Sequence, residues 1–411
     1  MALVLGCVLT ACGPQVSFPN ADDGVDDTDG NVPGTTTDPG TTSLDTSEPD
    51  EPDFPEPPPA TCFEQRVIWQ GQGNPRLALA DTLGTGIPEL WLVHPDSAIG
   101  LVRVGQAYEP YGEFPIESPF AIFNWADLDA DGRDDVLGYG ISPSGLDWRA
   151  KLTDAAGVPS SEVELSMALD RYQGSSVAFF DVNGDARADC FTSESGLLQI
   201  RHGDGTGAFS PMANTPLQPW TNAFSHLPSR VDHRVFAAYL YDGSFDSSVV
   251  ALFGVAPGGA LARSATSEPL QTDDMPILLD VRPINADARP DVAIQHRVDD
   301  HEVVSVLLAA NDGDLVLGWQ SPPIDTAAVG DFDGDGWLDI VWSRHGQAFT
   351  LPALPNPNEP TPTSIELLAP IDGSTPHHVA DLDGDGRDEV VQLRHTGSSF
   401  TLELIESTTC P

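Results

Sequence analysis

Basic residues are scarce. Of 411 residues only 18 are Lys or Arg, against 63 Asp or Glu, and none occurs before Arg66. The formal charge of −45 repels phosphate backbones and anionic lipid surfaces, so no nucleic-acid partner is expected and a membrane is reachable only through an anchor. Cysteine is also sparse, at five residues (Cys7, Cys12, Cys62, Cys190 and Cys410), with no clustered Cys/His spacing for zinc. The apolar opening, "MALVLGCVLTAC", stops after twelve residues, too short to span a bilayer. HExxH, GxSxG and P-loop motifs are missing. No catalytic residue is assigned, and a non-enzyme is the expectation.

What is present falls into three segments. The opening has the length of a signal-peptide core. Its end, "LTAC" (Leu9 to Cys12), resembles the bacterial lipobox, in which a peptidase cuts before the cysteine and a lipid is placed on its sulfur. The resemblance implies a signal peptide at 1–11, lipidation of Cys12, and an exported lipoprotein of the outer membrane or cell surface. One departure is that no Lys or Arg precedes the apolar run. Residues 12–61 follow as a Thr/Asp/Pro-rich acidic stretch with almost nothing to bury. Low hydrophobicity with charge of one sign cannot offset the entropy of ordering, so this is read as a disordered linker. It reaches between about 40 Å as a coil and about 150 Å as an extended polyproline helix.

From Cys62 to Pro411 the texture changes to short apolar runs broken by Gly, Asn and Asp. Gly (38) and Pro (37) are abundant, which favours turns over long helices. A nine-residue string recurs as "DLDADGRDD" from Asp127, "DVNGDARAD" from Asp181, "DFDGDGWLD" from Asp331 and "DLDGDGRDE" from Asp381. Degenerate copies start at Asp81, Ala238 and Pro283. Seven copies from Asp81 to Asp381 have a mean spacing of about 50 residues. Apolar residues flank the loops on both sides, Ser247 after the copy at Ala238 excepted, so each joins two strands, and two further strand-like runs precede the next copy. Four short antiparallel strands per repeat is the size of a propeller blade. The fold expected is all-β, a seven-bladed β-propeller of four-stranded blades over 62–411, behind the acidic linker.

The strings resemble the FG-GAP, or VCBS, repeat of the integrin alpha-subunit propeller and its bacterial relatives, and "GDGTGAF" (Gly203 to Phe209) resembles that family's second turn motif. The resemblance implies a seven-bladed propeller with Ca²⁺ in the first hairpin of several blades. Physical chemistry points the same way. Four carboxylates in nine residues repel one another, whereas a hard dication needs six to eight oxygens at 2.3–2.6 Å. Positions 1, 3, 5 and 9 supply carboxylates, position 7 a carbonyl, and Gly the tight turn. About four Ca²⁺ sites are expected, at Asp127/Asp129/Asp131/Asp135, Asp181/Asn183/Asp185/Asp189, Asp331/Asp333/Asp335/Asp339 and Asp381/Asp383/Asp385/Glu389. Asn285, Asp287 and Asp291 form an incomplete set behind Pro283, and the copies at Asp81 and Ala238 are expected to be metal-free. Solvated Asp-Gly turns are the alternative.

The last copy has three runs, "HHVAD", "EVVQLRH" and "SFTLELIES", where a blade needs four, so "CFEQRVIWQ" (Cys62 to Gln70) is expected to complete the last blade, and a Cys62–Cys410 disulfide would replace the absent turn. Cys190 stands where other copies carry Val, Ile or Leu and is read as a buried small hydrophobe. His377 and His378 are strand neighbours facing opposite sides, not a pair. Trp148 and Trp337 are either ligand platforms or edge packing. Function is expected to be that of a monomeric, cell-surface binding or adhesion module for a protein or glycan. The alternative is a propeller-fold polysaccharide lyase or hydrolase with scattered catalytic groups.

Overall fold

The computed structural model describes residues 61–409 apart from 118–120, 143–144, 166–176, 195–196, 217–221, 229–233, 242–247, 257–260, 271, 273–275, 285–288, 335–337, 345–346, 352–362 and 366–376. Cys12, Asn285, Asp287, Asp335, Trp337 and Cys410 therefore lie outside the described residues.

Every regular element among the described residues is a strand. After β1 (Thr61–Gln72) the chain runs as successive antiparallel meanders. The first is β2 (Arg76–Ala80), β3 (Glu89–Val93), β4 (Ser97–Val104) and β5 (Ala107–Pro115). The second is β6 (Ala121–Ala126), β7 (Asp135–Ser142), β8 (Gly145–Thr153) and β9 (Pro159–Glu164). The third is β10 (Val177–Phe180), β11 (Asp189–Glu194), β12 (Leu197–Gly203) and β13 (Phe209–Pro216). The fourth comprises β14 (Asn222–Pro228), β15 (Val235–Tyr241), β16 (Val249–Val255) and β17 (Leu261–Ser267). The fifth comprises β18 (Ile277–Arg282), β19 (Asp291–Val298), β20 (His301–Ala309) and β21 (Asp314–Gln320). The sixth is β22 (Thr326–Gly330), β23 (Asp339–Arg344), β24 (Gln347–Leu351) and β25 (Thr363–Ile365). The last has β26 (His377–Ala380), β27 (Glu389–Thr396) and β28 (Ser399–Thr409), with β1 added beyond β28. The fourth and fifth meanders join into one eight-stranded sheet because β17 and β21 touch in parallel at Thr266↔Asp314 and Ser267↔Leu315.

Burial explains which sequences form which strands. Second strands lie between other strands and between other sheets, so both their faces are apolar, as in β3 "ELWLV", where every residue is buried. Outer strands face water and carry charge or proline, as in β5 "AYEPYGEFP" and β9 "PSSEVE". Those residues discourage pairing with another chain's edge.

The cores lie between meanders rather than within them. Trp91 of the first meander stacks on Trp125 of the second at 4.9 Å between centroids. Phe191 of the third packs edge-on against Phe236 of the fourth at 4.9 Å. The succession continues through the sixth and last, and Leu393, Leu402 and Leu404 of the last meander return to Leu90, Leu92 and Leu101 of the first. Trp148 belongs to one of these cores, against Phe179, so it is packing and not a ligand platform. Cys190 is fully buried in the same cluster, and burial pushes its thiol up to about 12.

One expectation is corrected. The fourth copy does not begin a loop at Ala238. Ala238, Tyr239 and Leu240 are fully buried residues of β15, the second strand of its meander. The first turn of that meander falls between Pro228 and Val235, and the acidic "DGSFD" lies after the second strand. An acidic, glycine-containing string after an apolar run looks the same in sequence whichever strand it follows.

β1 pairs with β28 as expected for the missing strand, from Thr61↔Thr409 to Gln72↔Ser399. Cys62 stands opposite Thr408, two residues short of Cys410. Peptide mapping without reduction is expected to recover Cys62 and Cys410 in one linked peptide pair. Such a link would contribute up to about 5 kcal/mol through chain entropy. Alkylation of both thiols in unreduced protein would refute the link.

Candidate metal centre

Each acidic string lies where the pattern requires, between the first and second strands of a meander. Asp127 follows β6 and Asp135 opens β7. The same holds for Asp181 and Asp189, Asp331 and Asp339, and Asp381 and Glu389. Position 1 organises the turn through its own carboxylate. Asp127 accepts from the N–H groups of Ala130 (2.7 Å) and Gly132 (2.9 Å), and Asp381 from those of Gly384 (2.7 Å) and Gly386 (3.0 Å). Asp181 does the same with Gly184 and Ala186, both at 2.8 Å. This wrapping holds positions 4 and 6 in the left-handed region, at φ 63° for Ala130 and 83° for Gly132. That is why Gly recurs there.

In three of the loops three carboxylates converge. Asp127, Asp129 and Asp135 each offer an oxygen within 4.8 Å of the others, as do Asp331, Asp333 and Asp339, and Asp381, Asp383 and Asp385. That spacing is about the span of two Ca²⁺–oxygen bonds. The Asp181 loop shows no such triple among the described residues. Its Asn183 faces Nδ1 of His202 at 2.7 Å, and His202 also lies 3.1 Å from Asp189. Asp131 pairs with Arg133. In the loop at Asp81 the same carboxylate accepts from positions 5 and 6, Thr85 (2.8 Å) and Gly86 (2.7 Å), and positions 3 and 5 carry no carboxylate.

Position 9 does something that sequence reasoning missed. In six meanders its buried carboxylate accepts the N–H of position 2: Thr82→Glu89 at 2.8 Å, Leu128→Asp135 at 3.0 Å, Val182→Asp189 at 3.2 Å, Ile284→Asp291 at 2.9 Å, Phe332→Asp339 at 2.9 Å and Leu382→Glu389 at 2.7 Å. In three of them the second oxygen reaches the end of the third strand, at Thr153 (2.7 Å), Gly203 (3.1 Å) and Ala309 (2.8 Å). The residue thus latches its loop to its sheet. A carboxylate oxygen has more than one lone pair, so the latch leaves room for a cation. Burial raises Glu89, and raises Asp135 to about 7 and Glu389 to about 8. Burial likewise raises Asp127 and Asp189.

Neighbouring loops are stitched together through position 8. Asp134 N–H donates to the Asp81 carbonyl (2.8 Å), Ala188 N–H to that of Asp127 (2.7 Å), and Asp388 N–H to that of Asp331 (2.6 Å). In return Asp81 N–H donates to Asp134 and Asp331 N–H to Asp388, both at 2.8 Å. Burial pushes Asp134 up to about 6. The stems of Arg133 and Arg387, at position 7, pack over Gly84 and Gly334 of the preceding loop, where a Cβ would meet the arginine Cγ at 3.2 and 3.1 Å. A signal for this was present in the repeated Arg at position 7 and the Gly at position 4, but it links different repeats.

No protein-family model matches the chain, and no curated protein matches it. Among solved structures it is similar to a chain of the Photorhabdus luminescens Tc holotoxin pore (TM-score 0.45, 14% identity), over 84% of this chain and only 14% of that one. It is also similar to the periplasmic gluconolactonase PpgL of Pseudomonas aeruginosa (TM-score 0.45, 14% identity, 69% of this chain and 84% of that one). A third is an Agrocybe aegerita lectin that recognises non-reducing terminal N-acetylglucosamine (TM-score 0.36, 16% identity, 79% and 75%). The fold is all-β and propeller-like.

Proposed function

We propose that this chain is an exported, Ca²⁺-binding surface module whose meanders are the blades of a closed seven-bladed propeller. The succession of cores that runs from the last meander back to the first supports the closure. The observation that carries the metal reading is the convergence of three carboxylates within 4.8 Å in loop after loop, on turns that hydrogen-bond to one another. Asp127, Asp129, Asp131 and Asp135 would hold one ion, and Asp331, Asp333, Asp335 and Asp339 another. Asp381, Asp383, Asp385 and Glu389 would hold a third, and Asp181, Asn183, Asp185 and Asp189 a fourth of weaker carboxylate character. The ion supplies charge neutralisation and rigidity. The stitched loops then offer a stiff face for adhesion to a protein or glycan, while Cys12 and the 12–61 linker tether the module to a bacterial membrane.

Two arms test this. Protein immobilised on glycan and protein arrays is expected to bind a ligand in Ca²⁺ and lose it in EDTA, without consuming polysaccharide. Degradation of a polysaccharide would favour the lyase or hydrolase reading instead. Cys12→Ala is expected to move the protein out of the membrane fraction, and a mutant that stays there would refute the anchor.

A further inference from the structure

The last acidic loop has beside it a cation that comes from the first meander. Arg103, from β4 of the first meander, places Nη2 3.0 Å from Asp383 Oδ2 and Nη1 2.9 Å from Glu406 Oε1. Asp383 is position 3 of the loop. Glu406 comes from β28, and no motif pointed to it, yet Asp383, Glu389 and Glu406 each bring an oxygen within 4.8 Å of the others. Glu406 is also held by Arg66 Nη2 at 3.0 Å.

The fit of Arg103 is incomplete. Its Nη1 is buried and, despite its closeness to Glu406, makes no hydrogen bond of good geometry. The same guanidinium borders a cleft of about 420 Å³ formed by Leu83, Ile87 and Glu89 of the first loop and Leu382 and Asp383 of the last. Tyr108 also lines this cleft; it is only 6% exposed, and its hydroxyl has no hydrogen-bond partner. An unpaired buried hydroxyl is unfavourable, so the cleft retains an oxygen for a further cationic or polar group.

We infer that Arg103 is a tethered competitor for the divalent cation at the last loop, shared between Asp383 when the loop is empty and Glu406 when it is filled. The inference rests on the reading of the loops as Ca²⁺ sites. Asp383 offers Ca²⁺ an oxygen beside Asp381 and Asp385, and Arg103 pairs with the same carboxylate, so cation and guanidinium compete for its charge. Glu406, already beside the guanidinium and paired with Arg66, is the carboxylate to which Arg103 can withdraw. The first and last meanders are thereby joined through a contact that responds to divalent ion, which gives the last loop a different affinity from those at Asp127 and Asp331.

The two partners make opposite predictions, which separates competition from a structural role. Arg103→Gln removes the competitor and is expected to tighten one Ca²⁺ site about tenfold, on the scale of one unit charge removed at ion-pair distance. Glu406→Gln removes the refuge and is expected to weaken that same site about tenfold. Arg103→Lys keeps the charge and is expected to stay near wild type. The readout is calcium calorimetry on the full chain, with Tb³⁺ luminescence by transfer from Trp and Tyr as a second measure. Weakening in both variants, or no change in either, overturns the proposal while the wild-type isotherm still shows Ca²⁺. A wild-type isotherm without Ca²⁺ refutes the loop reading itself. Should Arg103→Gln fail to fold, Glu406→Gln decides alone: loss at one site supports the inference and an unchanged isotherm overturns it.

Discussion

Asp291→Ala is expected to destabilise the fold by about 2–6 kcal/mol, as much as Asp135→Ala, although its loop begins with Pro283 and lacks the complete acidic set. The reason is the latch. Asp291 is fully buried and accepts from Ile284 N–H at 2.9 Å and Ala309 N–H at 2.8 Å. Truncation leaves two buried donors unpaired at about 1–3 kcal/mol each. Asp291→Asn keeps one acceptor oxygen and should lose about half as much. Urea unfolding of the three variants measures this, and a near-neutral Asp291→Ala would show that position 9 acts only through a metal.

The second large effect concerns the metal. At a surface-like effective dielectric, one like-charge pair at 4 Å costs about 4 kcal/mol, so the empty loops strain against their own turns. A site with a dissociation constant near 10⁻⁴ M gains about 1.4 kcal/mol at 1 mM Ca²⁺, and four independent sites give about 5–6 kcal/mol. EDTA is expected to lower the melting temperature by many degrees, with Ca²⁺ restoring it better than Mg²⁺.

The pH dependence has a definite sign. In EDTA, burial holds Asp134 near 6, Asp135 near 7 and Glu389 near 8, all above their unfolded values close to 4. The folded state therefore binds more protons than the unfolded one. The corresponding stability is fully present below about pH 4 and is lost as pH rises through 6 to 8. The EDTA melting temperature should fall across that window, and the gain from Ca²⁺ should grow across it. A melting curve indifferent to EDTA at pH 8 would contradict both statements.

The sequence showed more of the fold than of the site. The period of about 50 residues, the acidic strings and their apolar flanks located the first hairpin of six meanders, because a metal-type turn has to carry its own chemistry in consecutive residues. It also placed "CFEQRVIWQ" against the chain's end, where a strand was owed. The fourth copy failed because "DGSFD" imitates the signal but follows the second strand of its meander instead of the first. The latch was invisible because its partners are backbone N–H groups, which have no letter of their own. Glu406 and Arg103 were invisible for another reason. They meet Asp383 from strands far away in sequence, and only the return of the last meander to the first brings them together.

The account depends above all on the acidic loops holding ions. Native mass spectrometry of the folded chain, exchanged into volatile buffer with about 1 mM Ca²⁺, ten times the expected dissociation constant, and then stripped with EDTA, counts them directly. The account predicts about four bound Ca²⁺, falling by one in Asp129→Ala, in Asp333→Ala and in Asp383→Ala, and unchanged in Asp81→Ala. A folded chain that carries no Ca²⁺, or one whose count ignores all three substitutions, would contradict it.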